Sequence, residues 1–112
     1  MTLEEWQKDV DEWINKYGVR YFDEKTNALL LTEEVGELCR LVARKYGEQS
    51  FKNKFDENDA TIKIGDEIGD IFFVLTCLAN QMGYSLEGIL EKNMIKKTKR
   101  DNKRHVENEK LQ

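Results

Sequence analysis

Not one of the 112 residues is proline. Proline kinks helices and punctuates turn-dense β architectures, so a chain without it, and with only 7 glycines, is free to run in long uninterrupted helices. The apolar residues follow that pattern. Leu3, Trp6, Val10, Trp13, Ile14 and Tyr17 recur at three- and four-residue steps, which places them on one helical face. Thr2 followed by Glu5 has capping-box spacing, in which each side chain satisfies an amide left orphaned at a helix start. Gly18 is the expected left-handed stop.

A second helix is predicted from Asp23–Thr26 to Gly47, carrying Leu30, Leu31, Val35, Leu38, Leu41 and Val42. Residues 47–59 are polar and lack helical periodicity apart from two isolated phenylalanines, Phe51 and Phe55, which predicts a long loop, a candidate lid. The third helix runs from about Ala60 to Met82 and is closed by Gly83, and Ser85 caps a fourth bearing Leu86, Ile89, Leu90, Met94 and Ile95. Residues past Arg104 are expected to fray. The expected fold is all-α and four-helix-bundle-like, one domain filling residues 1–112.

Ile71 to Ala79 is apolar around the whole helical circumference, and such a helix must be covered on every side. A chain of 13.2 kDa has too little material to do that alone. A homo-oligomer, either a dimer or a higher even-numbered assembly such as a tetramer, is therefore expected. The same run is too short to span a bilayer, and no secretory signal pattern precedes it, so a cytoplasmic location without membrane contact is predicted. With 18 Lys+Arg against 22 Asp+Glu and a net charge of -4, the chain has no general attraction for nucleic acid polymers. Any anionic partner must be held locally. Cys39 and Cys77 lack Cys-x-x-Cys spacing and read as reduced core thiols.

The acids are placed unusually. Glu33-Glu34-Val35-Gly36-Glu37 and Asp66-Glu67-Ile68-Gly69-Asp70 each contain two carboxylates three residues apart. Because residues three and four apart share a face, Glu34 and Glu37 project beside Leu30, Leu38 and Leu41, and Glu67 and Asp70 beside Ile64, Ile71 and Val74. Burying unpaired carboxylates is costly. If the two helices pack as neighbours, a divalent cation with hard oxygen ligands is the economical partner, and magnesium, which shares its sphere with substrate phosphates, fits best. A di-iron bundle would need Glu-x-x-His, and the only histidine is His105 near the tail. On the fourth helix Asn93 is in line with Leu86 and Ile89, and Lys96 and Arg100 continue that side. Lys63 stands one turn before Glu67. These four could approach the acids from the opposite charge.

Glu34-x-x-Glu37 followed by Glu67-x-x-Asp70 on successive helices, with Glu33 before them and Asn93-x-x-Lys96-x-x-x-Arg100 after, resembles the MazG-like nucleotide pyrophosphohydrolases over nearly the whole chain. The resemblance implies Mg²⁺-dependent cleavage of nucleoside triphosphates to monophosphate and pyrophosphate. It implies Glu34, Glu37, Glu67 and Asp70 as magnesium ligands, and Lys63, Asn93, Lys96 and Arg100 as phosphate or sugar contacts. Glu33 or Glu37 is the expected base that orients or deprotonates the attacking water. No glycine-rich loop ending in Gly-Lys-Ser/Thr is present, which argues against Walker-type release of the terminal phosphate. The alternative is a non-catalytic helical module that binds metal-nucleotide or serves assembly. Trp6 and Trp13, at helical spacing, are expected in the core rather than stacked on a base.

Overall fold

The computed structural model describes residues 1–52 and 54–112, without the side chains of 54–58. Its elements in order are α1 (Leu3–Trp13), a π-helical turn (Ile14–Gly18), α2 (Glu24–Tyr46), α3 (Lys54–Gln81), α4 (Leu86–Asp101) and a short 3₁₀ turn (Glu109–Leu111). No strand occurs among the described residues, so the all-α expectation stands. The ends are set by local chemistry. The Thr2–Glu5 capping box forms in both directions at 3.0 and 3.2 Å. Asp23 starts α2 by accepting from the Thr26 amide at 2.7 Å, and Ser85 starts α4 by accepting from Gly88 at 3.2 Å. Gly83, at φ +77, makes the turn between α3 and α4.

The body of the molecule is the antiparallel hairpin of α2 and α3. Asn27 near the start of α2 donates to Gln81 at the end of α3 at 2.7 Å, while Lys45 near the end of α2 donates to Thr61. Across one end of α3 lies α1. Val10, Ile14 and Cys77 form the buried cluster there, with Trp6, Tyr21 and Phe73 packed around it. Trp6 Nε1 donates to the fully buried Thr76 hydroxyl at 2.8 Å, and that hydroxyl in turn donates to the Phe72 carbonyl at 2.6 Å. Gln7 ties the corner together. Its amide nitrogen donates to Asn80 Oδ1 and to the Tyr84 carbonyl, each at 2.9 Å, and its oxygen accepts from the Leu86 amide at 2.8 Å.

Four expectations change. The third helix begins at Lys54 rather than Ala60, so the predicted loop is shorter than expected; a polar segment can be helical without the apolar period that sequence reading looks for. Phe55 in that segment lies outside the described side chains. The left-handed residue after α1 is Val19, at φ 69, not Gly18, because the stripe carries on through a π turn and the reversal is a tight γ-turn closed by Arg20 N–H on the Gly18 carbonyl at 2.8 Å. Cys39 is exposed on α2, whereas Cys77 is buried as expected, its thiol pushed up to about 11 by burial. Trp13 is half exposed and meets Phe73 edge-on at 5.7 Å, so only Trp6 is drawn into the core. Beyond α4 the chain turns back into the 3₁₀ segment, where Gln112 donates to the Val106 carbonyl at 2.7 Å.

The chain is open for its size. Its radius of gyration is 17.9 Å, against about 13 Å for a compact globule of this length. Within this chain α3 is covered nearly all round at Thr76 to Ala79, but the face that carries Ile68, Phe72 and Leu75 stays open, at 54%, 38% and 42% exposure. None of the described helices is long and apolar enough to cross a membrane.

Candidate metal centre

The hairpin brings the acids of its two helices together. Glu34 from α2 and Glu67 and Asp70 from α3 each place a carboxylate oxygen within 4.8 Å of the others. The cause is the register: Glu34, one turn beyond Leu30, and Glu67, one turn before Ile71, both lie on the half-buried inner side of their helices. Glu67 Oε2 is closed to solvent and has no hydrogen-bond partner among the described residues. The close approach of the Glu34 carboxylate, which a proton held between the two would relieve, then burial, then the charges of Glu34, Asp70 and Glu37, push the Glu67 carboxyl up to about 7. A buried oxygen without a partner, inside a cluster of hard oxygen donors, fits a small divalent cation.

The other expected residues fall differently. Glu37 turns away from the three and pairs with Arg40 at 3.2 Å, one turn further along α2. An i,i+3 cation captures it, although its charge is still felt at Glu67. Glu33 is exposed on the same helix. Lys63, one turn before Glu67, is exposed and lines a small polar pocket with Arg40 and Arg44. The expected inward approach of Asn93, Lys96 and Arg100 does not occur within this chain. Past Gly88 every residue of α4 up to Arg100 is exposed. Asn93 and Lys96 line a pocket built only from residues 83–96, and Arg100 pairs with Asp101 at 2.9 Å. Helix α4 packs on α1 and then leaves the body, because its apolar side, with Met94 and Ile95 63% and 68% exposed, finds no surface to cover in the same chain. Sequence reading missed Arg44, Phe51 and Lys52, which share the pocket with Lys63; the signal was the seven-residue spacing of Arg44 from Glu37, two helical turns on the same face.

Two antiparallel helices gathering carboxylate oxygens in their shared groove define an all-α protein with a candidate site for a hard divalent cation. The chain belongs to the MazG nucleotide pyrophosphohydrolase domain family, a family of hydrolases whose profile matches residues 22–105. It is 39% identical over 108 residues to the protein YpjD of Bacillus subtilis (strain 168), spanning 96% of this chain and 94% of that one. A crystal structure of YpjD from Bacillus subtilis, provisionally assigned as a pyrophosphatase, superposes with a TM-score of 0.74 at 38% identity, over 86% of this chain and 94% of the other. The Bacillus-conserved MazG protein, a nucleotide pyrophosphohydrolase, superposes with a TM-score of 0.71 at 34% identity, over 86% of this chain and 88% of the other.

Proposed function

We propose that this chain is a Mg²⁺-dependent nucleoside triphosphate pyrophosphohydrolase, cleaving NTP or dNTP to monophosphate and pyrophosphate. The observation that carries the reading is the convergence of Glu34, Glu67 and Asp70 in a chain of this family. These three would hold magnesium, and Glu37 would join them by releasing Arg40, an exposed ion pair of small worth. When bound, the metal neutralises phosphate charge and makes a bound water more acidic. Glu37 or Glu33 takes the proton from the attacking water. The water oxygen bonds to the α-phosphorus, the bond to the bridging oxygen breaks, and pyrophosphate leaves.

Residues 1–112 act as one cytoplasmic domain in a homo-oligomer, a dimer or tetramer. The exposed apolar sides of α3 and α4 support self-association, and covering them with a second copy is the route by which Asn93, Lys96 and Arg100 would reach an acidic cluster for phosphate or sugar contact.

Products decide the reading. Nucleoside triphosphates incubated with the protein and Mg²⁺ in ¹⁸O-labelled water should yield equal monophosphate and pyrophosphate, with the label in the monophosphate. Diphosphate plus orthophosphate as first products, or nucleotide binding without turnover, would overturn it.

A further inference from the structure

Beyond the acids, the groove between α2 and α3 opens into a pocket of about 290 Å³ lined by Arg40, Leu41, Arg44, Phe51, Lys52 and Lys63. Four of its six lining residues are cations, in a chain whose net charge is -4. Leu41, only 3% exposed, forms an apolar floor, and half-buried Phe51 stands over the linker side. Arg44 is half-buried beside them, while Arg40, Lys52 and Lys63 are exposed, so the pocket gathers positive charge at a largely solvent-facing site. Arginine is the residue whose fork matches phosphate oxygens two at a time, and the pocket has two of them.

Position relates this pocket to the acidic cluster. Lys63 precedes Glu67 by one turn, about 6 Å of rise along α3, and Arg44 follows Glu37 by two turns, about 10 Å along α2. That is the reach of a phosphate chain whose first phosphorus lies at the carboxylates. Arg40 joins the two regions, since it pairs with Glu37 on one side and lines the pocket on the other.

We propose that Arg40, Arg44, Lys52 and Lys63, closed in by Phe51, form the seat of the substrate's β- and γ-phosphates, the part that departs as pyrophosphate. This rests on the proposed pyrophosphohydrolase function. A substrate arriving with four negative charges draws Arg40 from Glu37 into the pocket, which frees Glu37 to turn toward Glu34, Glu67 and Asp70. Loading the phosphate seat therefore completes the carboxylate set. The leaving group stays paired with cations while its bond to the α-phosphorus breaks, so the charge it gains is already matched.

The test compares wild type with Arg44→Gln, Arg44→Lys and Lys52→Gln, using inorganic pyrophosphate and a nucleoside monophosphate as titrants in Mg²⁺, beside steady-state hydrolysis of the best triphosphate. Losing one charge-assisted contact should weaken pyrophosphate binding and raise KM by roughly tenfold in Arg44→Gln, leave monophosphate binding unchanged, and be partly restored in Arg44→Lys. Lys52→Gln, on the exposed linker, should move the same two quantities in the same direction by less, which keeps the test open if Arg44→Gln fails to fold. Equal losses for both titrants, or none for pyrophosphate, would overturn the seat. Arg44-dependent pyrophosphate binding with an unchanged KM would also overturn it, by showing a site for free anions rather than for substrate. A wild type that hydrolyses no triphosphate yet binds pyrophosphate through Arg44 would instead refute the enzymatic reading on which the assignment to substrate stands.

Discussion

Replacing Glu67 with glutamine keeps the side chain's shape and removes the charge that the cluster tolerates least. The folded state raises this carboxyl from 4.5 to about 7, so between those values the folded protein holds a proton that the unfolded chain has released, and metal-free stability must fall as pH rises. Below about pH 4.5 both states are protonated and the penalty is absent; above about pH 7 it is complete. A shift of that size sets a ceiling of about 3 kcal/mol, and the partly open groove, where solvent screens the charges, brings it to about 1–2 kcal/mol. For a chain of this length that is about 4–8 °C in Tm. Thermal melts in chelator at fixed protein concentration should show wild type losing that margin between acid and mildly alkaline buffer, and Glu67→Gln retaining it. Magnesium should restore the wild type at high pH by binding the folded state, leave the variant unmoved, and support no turnover by it. Parallel pH curves for the two proteins, or an equal response to magnesium, would refute the argument that Glu67 carries the strain of the cluster.

Two further outcomes follow from the fold. Val19 holds φ 69 while 85% exposed, so Val19→Gly gives up strain and almost no packing and should raise stability by about 1 kcal/mol; a lower Tm would show that the γ-turn is not strained. Sedimentation at micromolar concentration should find an even-numbered homo-oligomer, and a clean 13.2 kDa species would show that the exposed sides of α3 and α4 are content with water.

The sequence made the acid cluster legible because two carboxylate pairs fell inside apolar stripes, and an antiparallel hairpin then had to bring at least part of each pair together. Glu34, Glu67 and Asp70 obeyed. Glu37 did not, for a local reason that was also in the sequence: Arg40 lies three residues on, close enough to take the carboxylate in the free protein. Helix starts were readable where one side chain closes them, at Thr2, Asp23 and Ser85. The start of α3 was not, since residues 54–59 have neither a cap signal nor an apolar period. The course of α4 was beyond reach for a different reason. Periodicity identifies which side of a helix avoids water, but not which molecule covers it, and Ile89, Leu90, Met94 and Ile95 point to a surface this chain does not supply.

The Gln7 clamp at the corner of α3 and α4 has a mechanical consequence. Helix α4 is 16 residues long, a rod of about 24 Å fixed at one end. A change of about 10° where Gln7 grips Asn80, Tyr84 and Leu86 would sweep the far tip through about 4 Å, more than the length of a hydrogen bond. The three bonds of one glutamine on α1 thus act as the fulcrum of a lever, and the aim of Lys96 and Arg100 is set some distance from anything they touch.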